Sequence, residues 1–516
     1  MIYISFLIFF CILLYLIHNE LAILQTQFYE LKRYFSYKKN NRILKKYNLI
    51  FITLILINIL ILIYFEYQFL LCLFPILLIF LFKEEHYEKI VRFKYTSRVK
   101  RIYIISIIFT LLLGIITIYL SIKYHYLILP IFELFLVSSL KLYVALIMII
   151  DYLLEYLINN KYKRKALKKI KRIKPILIGI TGSYGKTSFK NFLYQLLSLK
   201  YRVCKTPKSY NTYLGIIKSV NEELSDNHEI MIIELGADKL GSLDKTLKLI
   251  NFDYSVITSI GPQHLKTFKT IDNIVKEKSK IFDKTSKCVF INYNYEYLRI
   301  LDKSKYNNSV TYSYYGDCDM YVNDIKIDKD NTQFTLNVGS DKYNLNTNIL
   351  GEQQIENLLG SIVIALHLGI DIKEIQKKIQ YLENEPHRMQ IRYDQNIKII
   401  DDSYNSNIKG FKGAVDILNL QTNYRIIITP GVIELGESWE RENRKLGEYI
   451  ANKLDYVILV GKSVTRPLYL GLINKGFDES NILIVDTFKE GYEFAKSLNK
   501  DITLLIENDL PDYYLK

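Results

Sequence analysis

Residues 49–82 read LIFITLILINILILIYFEYQFLLCLFPILLIFLF, 34 residues in which Glu66 is the only charge. A run this apolar is too long for one bilayer-crossing helix of about 20 residues and long enough for two, turning near Glu66 to Gln68. A lipid core offers no water to backbone amides, so such segments must fold as helices or closed barrels. The chain opens on a similar stretch, MIYISFLIFFCILLYLI, which lacks the basic head and small-residue cleavage site of a secretion signal and is expected to be retained. Residues 102–121 and 127–150 complete five expected spans. The last contains Glu133 and Lys141; ionisable residues at such depth point to function unless they snorkel from the helix ends, the reading preferred for both.

Charge orients these spans. Residues 1–175 hold 25 Lys/Arg against 9 Asp/Glu, leaving 43 against 44 for the rest of the chain. The basic residues gather in segments 18–48, 83–101 and 151–175, while the turns near 66 and 123 have almost none. The positive-inside rule then puts the N-terminus outside the cell membrane and everything after residue 151 in the cytoplasm. A neutral soluble part speaks against nucleic-acid binding, which calls for a basic patch there. Residues 155–174, EYLINNKYKRKALKKIKRIK, read as a basic amphipathic linker helix on the lipid bilayer. Five scattered cysteines without a CxxC pair indicate neither a disulfide framework nor a zinc site.

The soluble part begins with PILIGITGSYGKTSFKNFLYQLLSL: a short apolar strand, a glycine loop, then a helical pattern from Lys186. Gly182 and Gly185 let backbone N–H groups turn toward phosphate oxygens, with Ser183 and Ser188 in the same loop. Lys186 would neutralise β/γ-phosphates, and Thr187 could ligate Mg²⁺. The commoner GxxxxGK[ST] loop would need glycine where this chain has Ile180, so the loop is a variant, TGSxGKTS. Two further strand patterns end in Glu234, within HEIMIIELGAD, and in a turn carrying His264, within FDYSVITSIGPQHLKTF. Side chains at the carboxyl ends of parallel strands lie where ligands bind, so Glu234 and His264 could hold one or two Mg²⁺ beside a γ-phosphate. Taken alone, His264 reads first as a structural loop residue.

TGSYGKTSFK, TPKSYNTYLGI, IELGAD, ITSIGPQHLKTF with KEKSKIF, LGEQQIENLLGSIVIALHLGI, PHRMQIRYDQNIKIIDDSYNSN and GVIELGE occur in the order found in Mur ligases. These are the ATP-dependent amide-forming enzymes of peptidoglycan precursor synthesis, and the chain resembles most the MurF type, which adds D-alanyl-D-alanine. The resemblance covers roughly residues 175–516. It implies ATP and Mg²⁺ as cofactors, a central P-loop domain over 176–383 and a smaller doubly wound α/β domain over 384–516, behind a helical membrane part at 1–150 and the linker at 151–175. It implies that Lys186, His264, Lys278 and Arg388 serve catalysis, Lys278 matching a lysine that is carbamylated in some members. Asn357 would lie near the adenine, Arg388 would reach the γ-phosphate and Asp402 would bind the ribose. Asn211, Thr212, Tyr404, Asn405 and Asn407 would face the substrates, a cell-wall precursor and an amino acid or dipeptide. Each residue alone has a plainer reading: Asn357 could cap a helix, Arg388 could make a surface ion pair, and Asp401 with Asp402 could close a turn.

Gln353 and Ile408 stand where the family usually has histidine and proline. The larger departure is the front of the chain, where MurF-type ligases carry a UDP-sugar-binding domain and this chain has spans and basic loops. Three readings follow: a membrane-tethered MurF-type ligase beside other membrane-bound cell-wall enzymes, a Mur-type ligase on a different or lipid-linked acceptor such as a pseudomurein-type precursor or a polymer, and a P-loop membrane protein that is not a ligase.

Overall fold

A computed structural model describes residues 1–27, 29–36, 72–76, 93–306, 308–404, 407–433, 435 and 438–508. The chain divides into two compact units, Met1–Asn160 and Lys161–Lys516.

The first unit contains helices α1 (Ile2–Thr26), α2 (Ser97–Lys123), α3 (Ile128–Ser138) and the first part of α4 (Leu140–Ile173). Three of them, α1, α2 and α4, are long and apolar enough to cross a bilayer. Along α2 the buried face is a row of small and short polar residues, Ser106, Thr110, Gly114, Thr117 and Ser121. A side chain at Gly114 would meet the Phe6 ring at 1.9 Å, so α1 packs where only hydrogen fits. Phe9, Leu13, Ile17 and Leu24 line the facing stripe of α1, and Ile104, Ile108, Ile115 and Ile122 of α2 turn outward.

Two expectations are corrected in this unit. The span at 127–150 is broken at Ser139: α3 has 11 residues, about 16 Å of helix, too short to cross about 30 Å of hydrocarbon, and α4 carries the long apolar segment. Glu133 does not snorkel but is fully buried on α3. Lys141 is half-buried with its ammonium 5.8 Å from the centre of the Tyr34 ring. The expected hairpin at 49–82 lies outside the described residues except for 72–76. The stretch read as a linker continues α4 without interruption to Ile173, and its Ala166, Ile170 and Ile173 pack into a protein core of the second unit.

That second unit is built on two sheets. One has nine strands in the order β2-β3-β1-β4-β5-β6-β7-β8-β9. Its strands are β1 (Ile176–Thr181), β2 (Val203–Lys205), β3 (Ile230–Glu234), β4 (Phe252–Ile257), β5 (Thr285–Asn292), β6 (Ser309–Ser313), β7 (Met320–Ile327), β8 (Thr332–Val338) and β9 (Asp341–Thr347). Strands β1 to β7 pair in parallel and β7 to β9 antiparallel. Continuous apolar runs such as ILIGIT and IMIIE mark strands covered on both faces. Helices α5 (Lys186–Leu197) and α8 (Glu352–His367) press together on this sheet, with α6 (Tyr213–Glu222) and α7 (Ile271–Ser279) elsewhere in the unit. The order reverses at β1, between β3 and β4, which brings the ends of three strands to one crevice.

The other sheet has six strands in the order β10-β11-β15-β12-β13-β14: β10 (Gln390–Asp394), β11 (Ile397–Asp402), β12 (Tyr424–Thr429), β13 (Tyr456–Val460), β14 (Ile482–Val485) and β15 (Ile502–Glu507). All pairings are parallel except β10 with β11. Helices α9 (Ile408–Asn419), α10 (Trp439–Ile450), α11 (Lys462–Asn474) and α12 (Phe488–Ser497) alternate with its strands. Gly447 on α10 and Gly471 on α11 let these helices touch backbone to backbone, since a Cβ at either would lie 2.1 Å from a carbonyl of the other helix. The last strand, β15, lies inside the sheet between β11 and β12.

Candidate active site

The loop between β1 and α5 is tied down from behind by the loop after β4. Ser183 N donates to Ser259 O at 2.9 Å, Tyr184 N to Ser259 Oγ at 2.7 Å, and Thr258 Oγ1 to Tyr184 O at 2.6 Å. Gly185 enters α5 at φ 80°, and a Cβ there would lie 2.3 Å from Asn357 Oδ1 on α8. Both the left-handed backbone and the close approach require glycine. The Lys186 ammonium folds back onto the loop, donating to Gly182 O at 2.7 Å and Ser183 O at 3.2 Å. Burial pushes its pKa down to about 8, with Glu234 pulling it up and Arg388 pressing it down.

Glu234, at the end of β3, is enclosed by donors. Lys190 Nζ reaches Oε2 at 2.9 Å, Asn211 Nδ2 reaches Oε1 at 3.0 Å, and Thr187 Oγ1 lies 3.2 Å from Oε2. Burial alone would raise this carboxyl, yet Lys190 and Lys186 hold it below its ordinary value. Thr187 and Glu234 are thus together where a Mg²⁺ ion coordinated mainly by phosphate oxygens and water would need one hydroxyl and one carboxylate. His264 lines the same cleft, and no group of three or more His, Cys, Asp or Glu suited to a metal occurs among the described residues.

Lys190 was not read from the sequence. It sits on α5 among the buried Phe189, Asn191, Phe192 and Leu193 and is itself fully buried. A lysine among the mostly apolar buried positions of this helix is the one signal that could have flagged it. Lys278, on α7, is buried behind the loop rather than lining the cleft, and its amine donates to Gly182 O at 2.9 Å. Burial first and Lys186 second hold this amine well below the usual lysine range, against Glu277.

The other wall comes from the six-stranded sheet. Arg388 lies over the Tyr404 ring, its guanidinium carbon 4.3 Å from the centroid, and the Tyr404 hydroxyl donates to Ser209 Oγ at 2.7 Å. Asp402 Oδ1 accepts from Met389 N at 3.1 Å. Burial pushes the Asp402 carboxyl up to about 6, against Arg388 and the Met389 N–H. Thr212 and Asn407 cap α6 and α9, accepting from Gly215 N at 3.3 Å and Gly410 N at 3.0 Å, and both also face the cleft. Asn405 lies outside the described residues.

These walls enclose about 530 Å³, lined by Ser183, Gly185, Lys186, Thr187 and Ser188, by Glu234 and His264, and by Arg388, Asp402 and Tyr404. On α8, one turn apart and facing this space, Gln354 Oε1 and Asn357 Nδ2 are buried without hydrogen-bond partners. An orphaned acceptor and donor side by side fit the 6-amino group and N7 of an adenine. The loop, the Thr187–Glu234 pair and this edge therefore suit ATP with Mg²⁺.

The chain is similar to known proteins. Residues 180–365 match the family model of the Mur ligase middle domain. The UDP-N-acetylmuramoyl-tripeptide--D-alanyl-D-alanine ligase of Buchnera aphidicola is 29% identical over 294 residues, 54% of this chain and 62% of that protein. The ligase of the same name from Bacillus subtilis is 27% identical over 290 residues, 55% of this chain and 63% of its own. The chain thus spans less than two thirds of the length of these relatives. Among solved structures, MurF from Acinetobacter baumannii superposes with a TM-score of 0.62 at 22% identity, covering 68% of this chain and 78% of that one. MurF ligase from Thermotoga maritima in complex with ADP gives 0.60 at 22%, covering 69% and 81%. At this identity the structural likeness speaks for the fold.

Proposed function

We propose that the protein is an ATP-dependent amide ligase of cell-wall precursor synthesis, of MurF type, a reading supported by the match of residues 180–365 to the Mur ligase middle domain. One observation carries the reading: the phosphate loop, the Thr187–Glu234 pair and Arg388 with Asp402 from the second sheet converge on a single cleft. In this reaction a substrate carboxylate attacks the γ-phosphate of ATP, giving an acyl phosphate and ADP; an incoming amine then displaces phosphate to leave an amide. Two anions must approach, and the groups that offset their repulsion are Lys186 and Arg388. Mg²⁺ held by Thr187 and Glu234 would add charge neutralisation at the phosphates. Lys186 leaves the Gly182 and Ser183 carbonyls for phosphate oxygens, and Lys190 and Asn211 keep Glu234 aimed. A carbamate on Lys278 would require its amine first to release Gly182 O.

The substrates proposed are those in the relatives' names, UDP-N-acetylmuramoyl-tripeptide and D-alanyl-D-alanine. The apolar helices support a multi-pass protein of the cell membrane, with the N-terminus outside and the ligase in the cytoplasm; the clustered basic segments give that orientation. They also favour a second reading, in which the carboxylate donor is lipid-linked. The test is phosphate release by the full chain in nanodiscs with ATP and Mg²⁺, products followed by mass. Turnover with the soluble pair is the expected result; turnover only with a lipid-linked donor selects the second reading, and silence with both removes the ligase.

A further inference from the structure

Glu356 is a buried carboxyl that the reaction above leaves unused. It lies on α8 beside Asn357, is 4% exposed, and does not line the cleft. Asn292 Nδ2 donates to its Oε1 at 2.6 Å, and the Tyr295 hydroxyl also bonds it. Burial raises this carboxyl above its ordinary range, and the cation that opposes the rise is Lys409, whose ammonium lies 3.9 Å from Oε2. Lys409 belongs to the first turn of α9, in the part of the chain that carries the six-stranded sheet.

The pair is unequal. The Lys409 side chain is 61% exposed, so separation would return its ammonium to water at little cost. Glu356 would be left buried without a counter-charge, the costly half of a broken ion pair. The energy of the contact therefore favours the arrangement in which α9 lies against α8.

Two paths of hydrogen bonds lead from Glu356 to the phosphate loop. Asn292 Nδ2 also donates to Thr258 O at 2.8 Å, and Thr258 Oγ1 donates to Tyr184 O at 2.6 Å. Tyr295 also bonds Ser259, whose Oγ accepts from Tyr184 N at 2.7 Å. On the far side, Lys409 is flanked by Asn407 and Gly410, which line the cleft.

We propose that Glu356 and Lys409 are positioning residues, an ionic latch coupling the phosphate loop to the elements that carry Arg388, Asp402 and Tyr404. The latch holds the nucleotide cleft in its closed arrangement. This rests on the reading of the cleft as a nucleotide site, and it predicts that nucleotide affinity depends on a contact that no nucleotide touches, because apparent affinity scales with the fraction of molecules already closed.

The test is calorimetric titration of ADP into the full chain in nanodiscs. Lys409→Glu should weaken binding by about tenfold and Lys409→Ala by about threefold, while Lys409→Arg should bind as the parent does. In a Glu356→Gln background, Lys409→Ala should cost nothing further. Parent-like affinity of Lys409→Glu, or the same loss from Lys409→Ala in both backgrounds, overturns the latch. Thermal unfolding of each variant separates a loss of ADP affinity from a loss of folding, and Lys409→Arg, which keeps the charge, should match the parent in both. ADP binding needs neither ligation substrate. A parent protein that fails to bind ADP therefore counts against the nucleotide site, whereas a parent that binds with silent variants counts against the latch alone.

Discussion

The ammonium of Lys190 lies 2.9 Å from Glu234 Oε2, with 1% of either side chain exposed. Removing one partner of such a pair leaves a buried, uncompensated charge at a cost of about 3–5 kcal/mol, whereas replacing both with neutral groups can be nearly free. Lys190→Met should therefore lower the unfolding midpoint of the second unit strongly, and adding Glu234→Gln should restore most of the loss while leaving ATP turnover abolished. Denaturant unfolding of the two variants decides it; a Lys190→Met protein as stable as the parent would mean that the pair carries no net charge interaction.

The orphaned Gln354 Oε1 and Asn357 Nδ2 predict selection by base. Adenine offers a donor and an acceptor on its Hoogsteen edge, guanine two acceptors, so GTP would set its O6 against the Gln354 oxygen. ATP should be preferred by at least about a hundredfold in kcat/KM, since a buried polar group left unpaired is what makes such discrimination steep. Gln354→Leu should erase most of that preference, whereas Asn357→Leu should weaken both nucleotides alike, because N7 is an acceptor in either base. Equal use of both nucleotides by the parent would place the base elsewhere.

Asp402 gives a pH dependence with a definite sign. Its folded pKa of about 6 lies above the ordinary carboxyl value of 3.8, so the folded state holds its proton more tightly than the unfolded one. That contribution to stability is complete below about pH 4 and is lost as pH rises through about 6. Asp402→Asn should therefore be more stable than the parent at pH 7.5, by about 1–3 kcal/mol, with the difference vanishing near pH 4. A thermal-shift series across this range should show the two curves converging on acidification; divergence would reverse the assignment.

Legibility in the sequence followed how local each feature is. The glycine loop and the strand ends carrying Glu234 and His264 were readable because a strand, a tight turn and a helix start leave contiguous signatures, and the parallel strands because burial on both faces demands unbroken apolar runs. The strands β7 to β9 were missed since runs such as MYVNDIKI mix polar and apolar residues. The break at Ser139 escaped because hydropathy continues across it and only a local change of backbone, φ −98° and ψ 20°, ends α3. The roles of Lys190 and Gln354 were hidden for a different reason. Lys190 acquires its meaning from Glu234, 44 residues away, and Gln354 from a cavity that forms only when two sheets meet. Lys278 was placed among the catalytic groups by resemblance, yet it lies behind the loop, a distinction that spacing alone does not carry.

Arg388 is set between two residues with left-handed backbones, His387 at φ 63° and Met389 at φ 52°. Such conformations cost roughly 1 kcal/mol or more each for residues with a Cβ and persist only where the surroundings enforce them. Here the enforcement is visible: His387 Nδ1 lies 3.0 Å from Asp401 Oδ2, and Met389 N donates to Asp402 at 3.1 Å. The turn thrusts the guanidinium toward the cleft, where the Tyr404 ring supports one face of it. If Arg388 meets the γ-phosphate, it is needed for transfer and little for ADP. Arg388→Lys keeps the charge but loses the planar fork and the stack, so kcat should fall by about 10²–10³-fold while ADP affinity changes by less than about threefold. Tyr404→Phe keeps the stack and loses only the Ser209 bond, so it should cost about tenfold or less. Parallel loss of ADP affinity and kcat in Arg388→Lys would instead put the guanidinium on the α- or β-phosphate, and the role assigned to this turn would move with it.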